Sequence, residues 1–323
     1  MNMKTIKWGI IGLGNIAQKF ATDLATIKDA ELVAVASRSK ENADEFAVKF
    51  NSKKAYGSYD ELAKDDEVDA VYIATPHSFH KEHSILCLQN KKAVLCEKPF
   101  AMNLQEVEEM LTVAKENNVL LMEALWTFFL PHYNYVLEVY KNEKLGKLKS
   151  LEADFGFYNE YDTSRRLFRK EVGGGSLLDI GIYPIFAALS TLGNPNSIKA
   201  DAIFFENGAD SSCDMIFNYK TAKATLKSTL IENTATEAIF NFERGTIKIN
   251  TMFHMPTTVT ITENGKEETI DFNYKTIGYN FETEHFNNLL RKGKKESDIM
   301  TFDFSKNLIK TLDAVRKIIG LEY

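Results

Sequence analysis

Cysteine is scarce: Cys87, Cys96 and Cys213 are the only three in 323 residues, and no C-x-x-C pair occurs. Neither a disulfide framework nor a cysteine zinc site is readable from them, and a reducing, cytoplasmic setting is expected. With 6 prolines and 17 glycines, the chain is not collagen-like, low in complexity or disordered. No apolar run reaches the ~18 residues of a membrane span. The start MNMKTIKWGIIGLG passes directly into a strand pattern without the apolar core and cleavage site of a secretory leader. Membrane insertion and secretion are therefore not expected. Long blocks of like charge are missing too. The 39 Lys+Arg stand against 45 Asp+Glu for a net charge of -6, so nucleic acid is not an expected partner.

What is present is an ordinary globular composition, 44% hydrophobic and 26% charged, in a chain long enough for two domains. Apolar runs at Ile6–Ile11, Glu31–Ser37, Ala70–Ala74, Ala93–Cys96 and Val119–Glu123 have strand length, and helical patterns separate them. That alternation predicts right-handed βαβ crossovers and a doubly wound parallel sheet. After Trp126 the texture changes. Leu148–Phe157 alternates like a half-exposed strand, Ser197–Asp271 is rich in short β segments with a hairpin turn at Asn264-Gly265, and helices close the chain. The second part is thus expected to be an α/β domain on an antiparallel sheet. The expected domains are residues 1–123 and 124–323, closely packed, since no Pro/Gly/Ser linker divides them.

Gly12-Leu13-Gly14-Asn15-Ile16-Ala17 is G-x-G-x-x-A between a predicted strand and a predicted helix. The first glycine permits a tight turn, the second lets backbone approach a pyrophosphate, and Ala17 allows close helix–strand packing. Amides at the helix start, those of Asn15 and Ile16 among them, would hold the anion. The second strand ends in Ser37-Arg38-Ser39, where an acidic residue would accept from a ribose 2′-hydroxyl. A carboxylate there would repel a 2′-phosphate, whereas Arg38 with two hydroxyls would bind it, so NADP is favoured and NAD remains possible. The competing reading is a solvated loop arginine.

The third strand ends in Thr75-Pro76-His77, with His80 and His83 following. Ligands of open α/β sheets bind beyond the carboxyl ends of strands, which places Thr75, Pro76, His77 and His80 along the cofactor. The histidine spacing sweeps around a helix and no cysteine joins it, so no metal site is expected. Glu97-Lys98-Pro99 closes another strand at the same edge. A lysine there can donate a proton or hydrogen bond to a substrate oxygen. By itself E-K-P reads better as a surface turn.

In this order and at these intervals, Gly12-x-Gly14-x-x-Ala17, Ala74-Thr75-Pro76-His77-x-x-His80 and Glu97-Lys98-Pro99 resemble the glucose-fructose oxidoreductase / inositol dehydrogenase / MocA family. The resemblance spans the whole chain. It implies an N-terminal Rossmann domain, a C-terminal α/β domain with a large, mostly antiparallel sheet, and hydride transfer between a substrate alcohol carbon and NAD(P). It also implies that Lys98 acts near the nicotinamide with Glu97 in the cofactor site. In the second half, Met122–Trp126, Ala153–Phe157 and Gly173–Tyr183 resemble the branch holding dimeric trans-dihydrodiol dehydrogenase and NADP-dependent D-xylose 1-dehydrogenase.

That match implies Lys98 and Tyr183 as proton-transfer residues, Asp179 as the residue that orients them, and Trp126 and Phe157 as pocket walls. Asp179 and Tyr183, four apart, would share a helical face, although Ser176-x-x-Asp179 also reads as a cap, Trp126 as junction packing, and Pro184 as a kink. Leu130–Tyr133 and Arg169–Val172 differ from the branch pattern. The expected function is an NADP-preferring oxidoreductase for a sugar or cyclic diol, at aldose C1 or a vicinal diol. An NAD-retaining glycosidase-type enzyme of the same fold and a non-catalytic NADP sensor are the alternatives. A small polyol or sugar is the expected substrate, and a homo-oligomer, dimer or tetramer, the expected assembly.

Overall fold

A computed structural model describes residues 4–323. In chain order, β1 (Ile6–Ile11), α1 (Asn15–Leu24), β2 (Ala30–Ala36), α2 (Lys40–Phe50), β3 (Lys54–Tyr56), α3 (Tyr59–Ala63) and β4 (Ala70–Ile73) come first. They are followed by α4 (His80–Gln89), β5 (Ala93–Glu97), α5 (Leu104–Asn117), β6 (Leu121–Ala124), α6 (Pro131–Lys141), β7 (Leu148–Gly156) and α7 (Ile182–Leu192). Strands β8 (Ser197–Phe204), β9 (Asp210–Asn218), β10 (Lys223–Thr229), β11 (Ala238–Phe242), β12 (Gly245–Ile249), β13 (Val259–Glu263) and β14 (Lys266–Ile270) precede α8 (Tyr279–Arg291) and α9 (Phe302–Ile319).

Two compact units result. One holds the chain up to Trp126 together with Lys275–Lys306, the other Thr127–Tyr274 and Asn307–Tyr323. In the first, six strands in the order β3-β2-β1-β4-β5-β6 form a wholly parallel sheet. Strands β4, β5 and β6 are buried along their full length, as expected when crossover helices cover both faces. Strand β3 escapes sequence reading because three half-exposed residues, Lys-Ala-Tyr, carry no period.

Residues 275–306 were expected in the second domain, whereas the structure packs them with the first unit. The reason lies in α8. Its start is capped from a distance by the buried carboxylate of Asp23, which accepts from the amides of Ile277, Gly278 and Tyr279 at 3.0, 2.7 and 2.8 Å. Further along α8, Asn287 accepts from the Trp8 indole at 3.1 Å and Phe286 packs on Trp8 with ring centres 5.2 Å apart. Trp8 also meets Phe20, which stacks on Tyr72 at 3.7 Å. None of these long-range contacts has a local signature.

The second unit is built on eight strands in the order β14-β13-β12-β11-β7-β10-β9-β8. Every pairing is antiparallel except β7 with β10. The Asn264-Gly265 hairpin joins β13 to β14 with both residues at positive φ, 52° and 73°. Helix α7 packs on β7 and β10 with Phe186, Ala187 and Ala188 fully buried. The stretch Lys170–Leu192 is long and apolar enough to cross a membrane by composition, yet 94% of its most apolar window is buried inside the protein. It is a core segment.

Candidate active site

The carboxyl edge of the parallel sheet gathers most of the expected site. At the end of β1, Gly12 has φ +87, and a Cβ there would lie 2.8 Å from the backbone carbonyl of Ala74 and from Thr75 Cγ2. Only glycine fits this turn. Gly14 caps α1 in an extended conformation (φ -82), and a Cβ there would meet no protein atom within 4 Å. The first turn of α1 carries no acidic residue and no side-chain cap. The amides that open α1, those of Asn15 and Ile16, therefore have the geometry and field of an anion site, with space left beside Gly14. These residues fit a dinucleotide pyrophosphate.

Beyond β2, Ser39 caps α2 by accepting from Asn42 N at 3.2 Å and donates to the exposed carboxylate of Glu41 at 2.9 Å, while Ser37 Oγ accepts from Ser39 N at 3.3 Å. Arg38 projects from this turn and is exposed. Burial pushes the hydroxyl of nearby Tyr59 up, against the charge of Arg38.

The turns after β4 and β5 are tied together by His80. This buried ring meets Thr75 O and Pro99 O, both at 2.8 Å. Sequence reading set His80 on the cofactor, but both ring nitrogens face carbonyl oxygens, so His80 acts on any cofactor through the turns it holds. Thr75 Oγ1 is engaged by His83 Nδ1 at 3.0 Å, and His77 is buried with its ring 5.7 Å from that of His80. Among the described residues no group of three or more His, Cys, Asp or Glu could hold a metal ion. Lys98 lies partly exposed at the end of β5, joined to Pro99 by a cis peptide.

Behind Lys98 sits a set of buried acids, of which sequence reading named only Glu97. Glu97 accepts from the Tyr72 hydroxyl and from the Lys98 amide. Glu123, in β6, accepts from Phe100 N at 3.0 Å, and burial, with Glu97 nearby, pushes its carboxyl up to about 7 against the pull of Ser305, the Phe100 amide and the Lys98 charge. Glu282, in α8, is fully buried and neither oxygen meets a hydrogen-bond partner among the described residues. Burial first, then Glu97, pushes it well above the carboxylate range. The readable sign was a glutamate inside the apolar run Leu120–Ala124.

One consequence concerns pH. Glu123 binds its proton more tightly folded than unfolded, so its stabilising contribution is full below pH 4.5 and is lost as pH rises through about 7. The loss amounts to about 3 kcal/mol in the alkaline range. Glu123→Gln keeps the acceptor for Phe100 N without the charge. Its melting temperature should match the parent near pH 5 and exceed it increasingly toward pH 8; a gap independent of pH would contradict this.

In the second unit, Asp179 lies in a π-helical turn, Leu177–Gly181, that leads into α7. A proline at the third position of α7 removes an amide and crowds the carbonyl of Ile180, and the wider turn relieves that crowding where a kink was expected. The capping role read for Ser176-x-x-Asp179 is not what the structure shows. Asp210, from the start of β9, takes it, accepting from Leu177 N at 2.6 Å and Ser176 Oγ at 2.8 Å. Asp179 instead pairs with Arg166 Nη2 at 2.7 Å.

Tyr183 is buried, its ring 5.7 Å from Phe155 and 4.8 Å from His254, while Phe155 stacks on His254 at 4.2 Å. His254 is a further member that no local pattern announces. Phe157 lies beside Phe155 at 6.1 Å and is half-exposed. In the first unit, Trp126 stacks on Tyr279 at 4.4 Å. His132, in a segment that differs from the branch pattern, is fully buried between Tyr274 Oη (2.6 Å) and Phe253 O (3.0 Å). Burial lowers it to about 4, which marks it as a packing residue.

The model of an oxidoreductase family with an NAD-binding Rossmann fold matches residues 6–125, and that of the GFO/IDH/MocA C-terminal domain matches 133–248. A trans-1,2-dihydrobenzene-1,2-diol dehydrogenase of Xenopus tropicalis is 37% identical over 98% of this chain and 99% of its own. The scyllo-inositol 2-dehydrogenase (NADP(+)) IolU of Bacillus subtilis is 38% identical over 98% of both chains. Among solved structures, a 3-ketoreductase from Actinomadura kijaniata in complex with NADP and TDP-benzene superposes with a TM-score of 0.88 at 25% identity, covering 98% of each chain.

Proposed function

The chain belongs to the Gfo/Idh/MocA oxidoreductase family, and from that premise we propose that it is an NADP-preferring dehydrogenase or reductase of a sugar or cyclic diol, acting at an aldose C1 or a vicinal diol carbon. The observation that carries this reading is the meeting, at one edge of the parallel sheet, of the Gly12–Gly14 turn, the Arg38 turn and the Lys98 turn. The dihydrodiol and inositol enzymes that resemble it over their full length support the substrate class.

In this proposal the Asn15 and Ile16 amides hold the pyrophosphate, Ser37 and Arg38 hold the 2′-phosphate, and Thr75, Pro76 and His77 line the remaining cofactor. A nicotinamide held there would supply the acceptor for a hydride from the carbinol carbon. Lys98 donates a hydrogen bond to the substrate oxygen, and Tyr183, acting as the phenolate, takes the hydroxyl proton as the carbon–oxygen double bond forms. Asp179, ion-paired with Arg166, orients that exchange, and Trp126 and Phe157 contact the substrate's carbon skeleton. A cytoplasmic homo-oligomer, dimer or tetramer, completes the reading. Exposed apolar residues of the second unit, among them Ile203 and Phe204 on β8, are the kind of surface a second copy covers.

Initial rates with NADP and NAD against aldoses, inositols and dihydrodiols test the proposal. One cyclic polyol should be turned over with net NADPH formation and with NADP preferred to NAD. Tyr183→Phe should lower kcat on that substrate by about 100-fold without weakening NADP binding. Product release with no net NADPH would point to a retained-cofactor enzyme, and no turnover on any member would defeat the assignment.

A further inference from the structure

The segment that carries Asp179 and Tyr183 is fastened to the sheet of the second unit at both ends. At its start, Asp210 of β9 is fully buried, and its Oδ2 accepts from Leu177 N at 2.6 Å and from Ser176 Oγ at 2.8 Å. Ser176 Oγ also meets Ser228 Oγ, on β10, at 3.0 Å. The preceding Gly175 has φ +130, and a Cβ there would lie 2.1 Å from Asp210 Oδ1. Only glycine lets the carboxylate come this close. At the far end, a Cβ on Gly181 would lie 2.9 Å from the same Ser228 Oγ. In the β7–β10 pairing Ser228 stands opposite Phe155, whose ring is 5.7 Å from that of Tyr183. One buried polar trio therefore seats the whole π-helical turn Leu177–Gly181 on β9 and β10.

We propose that Asp210 is a positioning residue that fixes the register of this turn and so sets the places of Asp179 and Tyr183. This rests on the roles given to those two residues above. The physical reason is the extra residue that a π-turn holds. Relaxation to α-helical spacing would rotate the residues on one side of the turn by about 100° relative to the other. Asp179 would then move against Tyr183. The amide of Leu177, near the start of the segment, has no intrahelical acceptor, and Asp210 supplies one from a strand that cannot follow such a rotation.

Burial pushes the Asp210 carboxyl up, against the pull of the Ser176 hydroxyl and the Leu177 amide. Charge at this place is a cost, and what holds the turn is an acceptor oxygen of the right shape. Asparagine offers the same acceptor. Its amide nitrogen would take the place of Oδ1, which meets no hydrogen-bond partner among the described residues, so no existing bond is lost.

The test measures kcat, the KM for NADP and the melting temperature of the full chain on the polyol that the parent oxidises. Asp210→Ala should lower kcat about 30-fold, of the order that a small misplacement of reacting groups costs. The KM for NADP should not move, because Gly12, Gly14 and Arg38 belong to the first unit. Asp210→Asn should keep kcat within about twofold of the parent. In a Tyr183→Phe background, Asp210→Ala should subtract little more. If Asp210→Ala does not fold, Gly181→Ala reads the other end: its methyl meets Ser228 Oγ, so kcat should fall, and Ser228→Ala in the same chain should recover it. A folded Asp210→Ala enzyme with the parent's kcat would overturn the positioning role. So would equal losses with and without Tyr183, an Asp210→Asn enzyme as slow as Asp210→Ala, or a Gly181→Ala loss that Ser228→Ala leaves unrelieved. A Tyr183→Phe enzyme with the parent's kcat would instead overturn the reading on which the proposal rests.

Discussion

Replacing Lys98 by methionine is expected to lower kcat by about 10³-fold, within the range that a positioned proton-transfer group supplies, while NADP still binds to the purified protein. Methionine keeps the length of the apolar stem and removes only the ammonium. The turn is also held by contacts that do not use the ammonium: Pro99 O is held by His80 at 2.8 Å, Glu97 by the Tyr72 hydroxyl, and Phe100 N by Glu123 at 3.0 Å. Loss of turnover therefore reports chemistry, and an unchanged melting temperature shows that the edge is intact. A Lys98→Met enzyme that binds NADP and turns over at the parent rate would remove Lys98 from the mechanism. So would an equal fall in kcat and in folded stability, because the lysine would then be structural.

The two glycines of the first turn should answer oppositely to the same substitution. Gly12→Ala places a Cβ 2.8 Å from the carbonyl carbon and oxygen of Ala74, at φ +87. Backbone cannot yield as a flexible side chain can, so steric overlap adds to strain of about 1–3 kcal/mol. The variant should unfold several degrees earlier and lose NADP binding with its turn. Gly14→Ala adds a methyl at φ -82, where no protein atom lies within 4 Å. Restricting the unfolded chain should then leave stability unchanged or raise it by up to ~1 kcal/mol. NADP affinity should nevertheless fall at least tenfold, since the methyl takes the space that close approach of a pyrophosphate requires. Calorimetry without cofactor, paired with NADP titration, separates the two. If Gly14→Ala binds NADP like the parent, the pyrophosphate does not pass there.

Much of this protein is legible without coordinates because the relevant signals are local. A buried parallel strand is a short apolar run, a crossover helix is a period, and Gly12-x-Gly14 is a turn that chemistry makes readable. Strand ends follow, and with them Arg38, Thr75 and Lys98. Asn264-Gly265 likewise announced its hairpin. Where reading failed, the partner lay far along the chain. Asp23 caps α8 from about 250 residues away and thereby draws residues 275–306 into the first unit. Asp210 takes the capping role that Ser176-x-x-Asp179 suggested locally, and Asp179 turns to Arg166.

By itself, then, the amino-acid sequence determined the order of most elements, the parallel and antiparallel halves, the glycine turn and the family. Each of these is written in spacings of a few residues, which backbone geometry and hydrophobic period convert directly into structure. Only the tertiary structure decided which charges are buried together and which side chains stand behind others. It brought Glu123 and Glu282 near Glu97 at the back of Lys98 and set His254 against Tyr183. Those relations depend on how layers pack, and no short-range pattern encodes them. They also set the protonation of the buried acids, because the energy of a charge follows its surroundings in space and not its place in the chain.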